Sequence, residues 1–392
     1  MTLAQTRTIP DTRTADDFTA PFAARAVVWA GPGKGLSIED VVLDPPGPGE
    51  VAVRMLASGV CHSDLHILDD DWELPSPLVM GHEGAGVVVA VGSGVGRHPE
   101  DPRVGDHVVL AWTAPCGRCA RCADGDGHLC ATPVGGDHRT SQDQVRIRRT
   151  DGTPLGIHCG IGTMATYQVV AAEAAVRVDP RLPATQASLV GCAITTGVGA
   201  ALWTARVEAG DEVVVIGLGG VGLSAVMGAA LAGASRVIGV DREQSKLDLA
   251  LQVGATHGVL ATDDALTTAA VRELCDDGPD HVIEAIGLTS TIELATRLVR
   301  PGGTTTLVGL TRTGATAALD TYRFVFSGSR IVASNYGSAV PSTAFPRLVR
   351  HAIEGQLPID AIVSQEIALD DVEAAFDAMR RREGARQVIV FD

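Results

Sequence analysis

A glycine-rich stretch in the middle of the chain, VVVIGLGGVGLSA, most constrains how this protein can fold. The apolar run before the glycines predicts a buried strand, and the run after them predicts a helix that begins at glycine. Gly217, Gly219 and Gly222 between these elements have the spacing GxGxxG. In that context Gly217 permits a tight turn, Gly219 lets the backbone approach a pyrophosphate, and Gly222 lets the helix pack closely on the strand. The stretch therefore predicts a dinucleotide-binding unit rather than a turn that binds nothing.

The next predicted strand, RVIGVD, ends in Asp241, nineteen positions after Gly222. A carboxylate at this position can accept hydrogen bonds from the ribose hydroxyls, and it would repel a 2′-phosphate. We therefore expect NAD rather than NADP as the cofactor, although the adjacent Arg242 argues the other way. Gly220 and Val221 in the turn and Lys246 after Asp241 complete the local candidates for cofactor contact.

Strands alternate with helices over residues 192–334, which predicts a doubly wound parallel sheet of the Rossmann type. Residues 25–191 instead carry short apolar runs broken by glycine and proline, which predict a mostly-β domain. Residues 335–392 return to mixed structure and are expected to rejoin that first domain. Residues 1–24 predict a flexible arm, and the polar residues 133–153 predict a surface lobe. The expected fold class is therefore α/β, with a mostly-β domain beside a Rossmann domain.

Composition excludes several classes of partner. A net charge of −16 argues against nucleic acid and against an anionic membrane surface. We expect no membrane span, because no apolar run was found to reach the ~18–20 residues that a bilayer requires. The N-terminus lacks a secretion signal pattern, so a cytoplasmic location is expected. Thiols stay reduced there, and clustered cysteines are more typical of metal binding than of disulfides.

Four of the eight cysteines lie close together in CGRCARCADGDGHLC, and these are Cys116, Cys119, Cys122 and Cys130. Four thiolates in one loop are typical of a closed structural zinc site, which leaves no coordination position for a substrate. Residues 113–132 are therefore expected to form a structural zinc lobe. A small iron–sulfur centre is the alternative ligand for such a loop.

Other metal-ligand residues are dispersed in three short stretches. SGVCHSDLH contains Cys61, His62, Ser63, Asp64 and His66; MGHEGAG contains His82 and Glu83; and VGCAITTG contains Cys192. Two cysteines and one histidine are a ligand set found in catalytic zinc sites, where the fourth position stays open. Spacing alone does not bring these residues together.

The order and separation of GVCHSD, GHEGAG, CGRCARC, GCAITTG and GLGGVG complete the pattern. With them the chain resembles the zinc-dependent medium-chain alcohol dehydrogenases over residues 25–391, and it leans toward the formaldehyde-dehydrogenase-like and actinobacterial branches. The resemblance implies a GroES-like catalytic domain, a Rossmann domain, two zinc ions per chain, NAD as cofactor, and a homodimer or homotetramer.

The resemblance also implies roles for the dispersed residues around one metal. Cys61, His82 and Cys192 would bind a catalytic zinc, with Glu83 behind it. Asp64 would orient His82. Ser63 and His66 would carry a proton to the protein surface.

Further positions match cofactor and substrate contacts of the family. Thr196 and Val221 would hold the nicotinamide, and Arg386 would meet the cofactor phosphate. His62 stands where many relatives carry an arginine, so a weaker and pH-dependent grip on phosphate is expected. Trp72 and Trp112 would line the substrate pocket, which suits a flat or extended apolar substrate.

The expected activity is therefore the interconversion of an alcohol and an aldehyde or ketone by hydride transfer to or from NAD. Two alternatives stay open. One is a dehydrogenase of a thiol–aldehyde adduct, such as S-hydroxymethyl mycothiol or glutathione. The other is a dinucleotide-binding sensor or structural protein without turnover. Cys159, Cys275, His138 and His158 are expected to be ordinary packed residues.

Overall fold

A computed structural model describes residues 15–133 and 145–391. The expectations for residues 1–14 and 134–144, which include most of the predicted arm, the first half of the predicted lobe and His138, lie outside the described residues. The strands in chain order are β1 (Phe22–Trp29), β2 (Leu36–Leu43), β3 (Glu50–Val60), β4 (Leu78–Val79), β5 (Glu83–Val91), β6 (His107–Leu110), β7 (Ile147–Arg149), β8 (Gly156–Ile157), β9 (Tyr167–Ala171), β10 (Ala175–Arg177), β11 (Glu212–Ile216), β12 (Arg236–Asp241), β13 (His257–Leu260), β14 (His281–Glu284), β15 (Thr304–Leu307), β16 (Arg330–Ala333), β17 (Val363–Ile367) and β18 (Arg386–Val390). The α-helices are α1 (His62–Leu68), α2 (Ala120–Ala123), α3 (Ala184–Leu189), α4 (Thr195–Gly199), α5 (Gly220–Leu231), α6 (Gln244–Gln252), α7 (Asp264–Leu274), α8 (Thr289–Leu298), α9 (Thr321–Ser327), α10 (Pro341–Ile353) and α11 (Val372–Arg380).

The second domain is built on a parallel sheet with the order β13-β12-β11-β14-β15-β16. Its central strand β11 is buried from Val213 to Ile216, as expected for a strand covered on both faces by helices. The sheet order reverses between β12 and β14 on either side of β11, which makes the carboxyl end of β11 the place where such sheets bind ligands. The predicted α/β class with a Rossmann-type domain is confirmed.

The first domain contains two mostly antiparallel sheets. One has the order β7-β2-β1-β4-β8, and the other has the order β10-β6-β5-β3-β18-β17 with β9 also paired to β3. Because β17 and β18 come from the end of the chain, the C-terminal segment completes this domain's sheet. The loops after β3 and before β5 are thereby brought to one edge, facing the second domain.

The structure differs from the predicted arm at its inner end. A 3₁₀ turn at Ala15–Phe18 and strand β1, which begins at Phe22, precede residue 25. Phe18 and Phe22 are buried, and both rings pack against Tyr167 at centroid distances of 5.6 and 5.9 Å. Burial of two aromatic rings provides enough apolar contact to order a segment whose average composition is polar.

Part of the predicted polar lobe also belongs to the sheets. Strand β7 pairs with β2 in the register Leu43↔Ile147, and β8 pairs in parallel with β4. Ile147, Leu155 and Ile157 are buried. The isolated apolar residues of this stretch are therefore core residues, and their irregular spacing in the sequence reflects two short edge strands.

A long helical segment crosses the predicted domain boundary at residue 192. It runs from Ala184 to Ala205 through α3, a π-helical turn at Val190–Ile194, α4 and a second π-helical turn at Ala200–Ala205. Contrary to the sequence-based expectation, this helix is long and apolar enough to cross a membrane. However, 78% of its apolar window is buried inside the protein, which is typical of a core helix. The two domains are thus joined by a buried helix rather than by an exposed linker.

Candidate active site

Three dispersed residues converge where the two domains meet. Cys61 lies between β3 and α1, His82 immediately precedes β5, and Cys192 lies in the π-helical turn after α3. Together with Glu83, they place one ligand atom each within 4.8 Å of one another, and all four are buried. The pairing of β3 with β5, in which Gly59 lies opposite Glu83, brings the first two stretches together.

The chemistry of this donor set fits a zinc ion. The pKa of the Cys61 thiol is held well below its ordinary value by a hydrogen bond from Cys192, and further by the nearby charges of Arg386 and His82. Arg386 donates to Cys61 Sγ at 3.3 Å. The ligand atoms of Cys61, Cys192 and His82 lie within 4.8 Å of one another. They match the two-cysteine, one-histidine set of an open zinc site.

Glu83 lies behind these donors. Its Oε1 accepts a hydrogen bond from the Ala193 backbone at 3.1 Å and lies 3.5 Å from Arg386 Nη2. Its Oε2 is buried and has no hydrogen-bond partner in the part of the chain that the structure describes. Burial raises the pKa of Glu83 to about 7. An unsatisfied carboxylate oxygen beside two sulfurs and an imidazole is a further indication that a cation belongs here.

The four clustered cysteines form a second, separate donor set. Their ligand atoms also lie within 4.8 Å of one another. Cys119 Sγ lies 3.5 Å from Cys122 Sγ and 3.8 Å from Cys130 Sγ. A tetrahedron with Zn–S bonds of about 2.3 Å has edges of about 3.8 Å, so the sulfurs are already close to zinc geometry. The Arg118 backbone N–H lowers the pKa of Cys116 to about 6, which favours the thiolate that metals bind.

A buried carboxylate supports the imidazole of the dispersed set. Asp64 Oδ1 lies 3.0 Å from His82 Nδ1, and Asp64 Oδ2 accepts the Cys61 backbone N–H at 3.2 Å. Asp64 is fully buried. Since Nδ1 of His82 is engaged by Asp64, Nε2 is the ring nitrogen left for a metal.

The predicted proton path lies on helix α1. Ser63 Oγ is 3.8 Å from Cys61 Sγ, and Ser63 and His66 share a helix face because they are three residues apart. His66 Nδ1 hydrogen bonds to Asp71 Oδ2 at 2.7 Å, and its side chain is 19% exposed. Trp72 stacks on the His66 ring at a centroid distance of 4.8 Å. Asp71 and Trp72 thus fix the imidazole at the protein surface.

The exposed His62 is the first residue of α1, and its ring meets the His66 ring edge-on at 5.1 Å.

The glycine turn has the geometry that a pyrophosphate site requires. Gly217 has a φ of +89°, and a Cβ on Gly222 would lie 1.7 Å from the Gly217 carbonyl oxygen. A Cβ on Gly219 would meet nothing within 4 Å, so this position faces open space that a ligand can fill. A Cβ on Gly220 would lie 2.6 Å from the Arg386 guanidinium. Arg386 therefore lies between the metal ligands and the start of helix α5.

The remaining cofactor candidates surround the same turn. Asp241 Oδ2 accepts the Leu218 backbone N–H at 2.8 Å, and its Oδ1 accepts that of Glu243 at 3.1 Å. The other candidates differ in exposure: Arg242 is exposed, whereas Lys246 and Val221 are half-buried. Thr196 Oγ1 is buried and has no hydrogen-bond partner within residues 15–133 and 145–391, as expected for a group that a bound cofactor satisfies.

The second predicted pocket residue packs against the same apolar cluster as Trp72. Trp112 packs against Tyr336 at a centroid distance of 4.4 Å, and the Tyr336 hydroxyl donates to the carbonyl oxygen of Gly191. This contact braces the turn that carries Cys192. The two indoles therefore have different ring neighbours. Trp72 stacks on His66, and Trp112 packs against Tyr336.

Sequence reasoning missed several residues of this site. His158 was assigned to ordinary packing, yet its Nδ1 lies 3.3 Å from Asp64 Oδ1. The predicted site also lacks Asp71 and Tyr336. The acidic residues after α1 were a visible signal for Asp71, whereas the sequence contains no local signal for His158 or Tyr336.

Comparison with known proteins identifies relatives over nearly the whole chain. Residues 47–180 match the family model described as alcohol dehydrogenase GroES-like domain, and residues 220–354 match that described as zinc-binding dehydrogenase. An S-(hydroxymethyl)glutathione dehydrogenase from Photobacterium damsela subsp. piscicida is 36% identical over 370 residues, covering 93% of this chain and 99% of the relative.

Solved structures give the same result. An alcohol dehydrogenase zinc-binding domain protein from Burkholderia ambifaria superimposes with a TM-score of 0.88 at 33% identity, covering 95% of this chain and 100% of that one. Benzyl alcohol dehydrogenase from Acinetobacter calcoaceticus superimposes with a TM-score of 0.85 at 30% identity, with the same coverage.

Proposed function

Because the chain belongs to the zinc-dependent alcohol dehydrogenase family, we propose that its interdomain site oxidises uncharged apolar alcohols to aldehydes, or reduces the aldehydes, with NAD as the redox partner. The observation that carries the proposal is the convergence of Cys61, His82 and Cys192 beside the glycine turn, with Arg386 touching both. A dinucleotide-binding protein without turnover has no need of this open donor set. The same convergence therefore disfavours the sensor hypothesis.

The residues of the chain have distinct tasks in this reaction. Zinc, when held by Cys61, His82 and Cys192, supplies a Lewis acid that lowers the pKa of an alcohol hydroxyl. The nicotinamide ring supplies the hydride acceptor. Ser63 takes the hydroxyl proton, and His66 accepts it next. Since His66 Nδ1 is bonded to Asp71, its Nε2 is the basic atom that receives the proton.

Asp241 supports the choice of NAD. Two backbone N–H groups fix its carboxylate at the end of β12, where it would face the adenosine ribose. A 2′-phosphate there would meet a fixed negative charge. Arg242 is exposed and has the freedom to turn toward or away from the ribose, so it does not cancel this preference.

The surroundings of the interdomain opening support an uncharged substrate. A pocket of about 390 Å³ opens between the domains, lined by Asp70, Asp71 and residues 312–315. Two carboxylates and one guanidinium, that of Arg312, are among the lining side chains, so this opening disfavours an anionic substrate. Trp72 and Trp112, which pack against one apolar cluster, are the residues proposed to give the substrate pocket its apolar surface, and this favours an aromatic or extended alcohol.

A second candidate substrate is a thiol–aldehyde adduct. The relative that is 36% identical over 370 residues carries the name S-(hydroxymethyl)glutathione dehydrogenase, which favours this candidate. The two acidic side chains at the interdomain opening oppose it, because the glutathione adduct is anionic. The two proposals thus differ in the charge of the preferred substrate.

Parallel steady-state assays distinguish the two substrates. NADH formation is followed by absorbance with benzyl alcohol, and separately with formaldehyde plus glutathione. We expect kcat/KM for benzyl alcohol to exceed that for the adduct at least tenfold. A larger kcat/KM for the adduct would establish the second candidate, and no turnover with either would refute the proposed reaction. Cys61→Ala should abolish turnover while its circular dichroism spectrum stays that of the parent.

We also propose that the chain forms a homodimer or homotetramer through its Rossmann domain. Strand β16 lies at the edge of the sheet, and the neighbouring helix α9 exposes Tyr322, Val325 and Phe326 by 74 to 76%. Exposed apolar side chains beside an edge strand are typical of an interface. Light scattering at micromolar concentration tests this, and a Val325→Asp, Phe326→Asp variant should be monomeric.

The eight cysteines are all free, which suits a reducing compartment such as the cytoplasm.

A further inference from the structure

His158 is brought to the metal ligands by the pairing of two very short strands. Strand β4 pairs in parallel with β8, with Leu78 opposite Gly156 and Val79 opposite Ile157. Parallel strands leave a sheet at the same edge, so His158 emerges beside the chain that leads to His82. This placement follows from a register that neither strand specifies alone.

The turn that carries His158 is fixed at both ends. The backbone N–H groups of Ile161 and Gly162 both donate to the His158 carbonyl at 3.0 Å, and Thr163 N–H donates to the Gly81 carbonyl at 3.1 Å. The last bond ties the turn to the residue before His82. Movement of His158 relative to His82 is therefore restricted by backbone hydrogen bonds alone.

The side chain of His158 meets the carboxylate that supports His82. His158 Nδ1 lies 3.3 Å from Asp64 Oδ1, and His82 Nδ1 lies 3.0 Å from the same oxygen. All three residues are at most 4% exposed. The two rings meet edge-on, with centroids 5.2 Å apart and planes at 74°. The oxygen thus receives two imidazoles from different directions.

Backbone conformation next to His158 points to a functional constraint. Cys159 has a φ of +50°, in the left-handed region that non-glycine residues rarely adopt. Its neighbours Ile157 and Ile161 are each 1% exposed, so the packed core holds this conformation in place. Strained residues of this kind persist where the surrounding structure enforces them, often at functional sites.

We infer that His158 is a positioning residue for the catalytic metal: it fixes the plane of the Asp64 carboxylate, and Asp64 in turn fixes the His82 imidazole. Cys61 N–H and His82 Nδ1 each engage one Asp64 oxygen, and the ion-pair contact of His158 Nδ1 with Oδ1 at 3.3 Å further limits rotation of the carboxylate. The donor atoms form two groups that share His82, one with Cys61, Glu83 and Cys192 and the other with Asp64 and His158. His158 therefore acts through Asp64 rather than as a ligand. This inference rests on the proposed zinc site.

The test measures metal retention rather than activity alone. Wild type, His158→Leu and His158→Asn holoenzymes are dialysed against increasing chelator, and metal per chain is measured by elemental analysis. Leu keeps the bulk but removes the ring nitrogen that contacts Asp64, so one of two metals should be lost at a 10- to 100-fold lower chelator concentration. Asn keeps a donor near the Nδ1 position. The chelator concentration at which half of this metal is lost, the chelator midpoint, should therefore stay within about threefold of wild type.

The visible spectrum of cobalt-substituted enzyme gives a second readout, because zinc itself has no d–d bands. The band of the open site should shift in His158→Leu and be restored in His158→Asn. His281→Leu is the matched control. His281 is also a buried histidine, 3.1 Å from a carboxylate of Asp211, but it lies in the Rossmann domain. It should change neither the chelator midpoint nor the spectrum.

The outcomes separate the inference from the proposed function. If Cys61→Ala keeps both metals, the proposed catalytic zinc site is refuted. If Cys61→Ala loses one metal but His158→Leu has the wild-type midpoint and spectrum, only the positioning role is refuted. Should His158→Leu fail to fold, His158→Gln replaces it, since its amide reaches the Nε2 rather than the Nδ1 position. Equal midpoints for the Asn and Gln variants would then overturn the inference.

Discussion

Two alanine substitutions in the glycine turn should separate stability from cofactor binding. In Gly222→Ala, the new Cβ would lie 1.7 Å from the Gly217 carbonyl oxygen, whereas real Cβ contacts stay beyond 3.0 Å. The obstacle is backbone, so the turn must move by more than an ångström. Overpacking of this kind costs about 1–3 kcal/mol, and the gain in helix propensity returns at most about 1 kcal/mol. We expect a net loss of roughly 1–2 kcal/mol, which lowers Tm by roughly 2–8 °C.

Gly219→Ala is the matched variant, because its Cβ would meet nothing within 4 Å and its φ of −74° suits any residue. Its stability should stay within about 0.5 kcal/mol of wild type. If a pyrophosphate crosses this position, however, the methyl group should weaken NAD binding at least tenfold, or about 1.4 kcal/mol.

Thermal unfolding by calorimetry and NADH fluorescence titration measure the two quantities on the same samples. An unchanged Tm for Gly222→Ala would refute the close contact between helix and turn. Wild-type NADH affinity for Gly219→Ala would refute the assignment of Gly219 to the pyrophosphate.

Three further changes test other parts of the structure. Cys119→Ala should remove one of two metals, measured by elemental analysis, and lower Tm while leaving the open site's cobalt spectrum unchanged; an unaltered Tm with metal lost would contradict a structural role. Asp241→Gly should raise kcat/KM for NADP relative to NAD by at least tenfold, and an unchanged ratio would contradict the ribose assignment. Glu284→Gln should flatten the dependence of unfolding free energy on pH above 4.5, measured by urea titration. Burial raises the pKa of Glu284, so the native state keeps a proton that the unfolded state loses. Stability therefore falls as pH rises from 4.5 through the raised pKa, and a slope equal to that of wild type would refute this account.

The sequence predicted those features whose determinants are local. The GxGxxG turn lies between a strand and a helix that the same stretch encodes, and the four cysteines lie within one loop. Both could be interpreted without knowing any long-range pairing. In the structure, Gly217 has the positive φ that a tight turn requires, and the Cys119 sulfur lies 3.5 and 3.8 Å from those of Cys122 and Cys130, close to the edges of a zinc tetrahedron.

The rest depended on pairings that a sequence does not reveal. Cys61, His82 and Cys192 were assembled only by resemblance to a family, because β3, β5 and helix α3 meet through tertiary packing. His158 needed the register of β4 against β8, which are two residues long each and carry no periodic pattern. Phe18 and Phe22 were assigned to a loose arm because average composition concealed two aromatic rings that a distant Tyr167 buries.

Arg386 shows why the metal and cofactor sites of this protein cannot be treated separately. Its guanidinium is 5% exposed, contacts Cys61 Sγ at 3.3 Å, and lies against Gly220 at the start of helix α5. Burial alone would lower the pKa of Arg386, but the neighbouring Cys61 and Glu83 raise it, so it stays charged. A buried cation is tolerated only where anions surround it, and here those anions are the metal-binding thiolates on one side. On the other side of Arg386, the anion would be a cofactor phosphate at the N-terminus of helix α5. Since Arg386 is shared by both groups, a change in the charge of the Cys61 sulfur is expected to change dinucleotide binding.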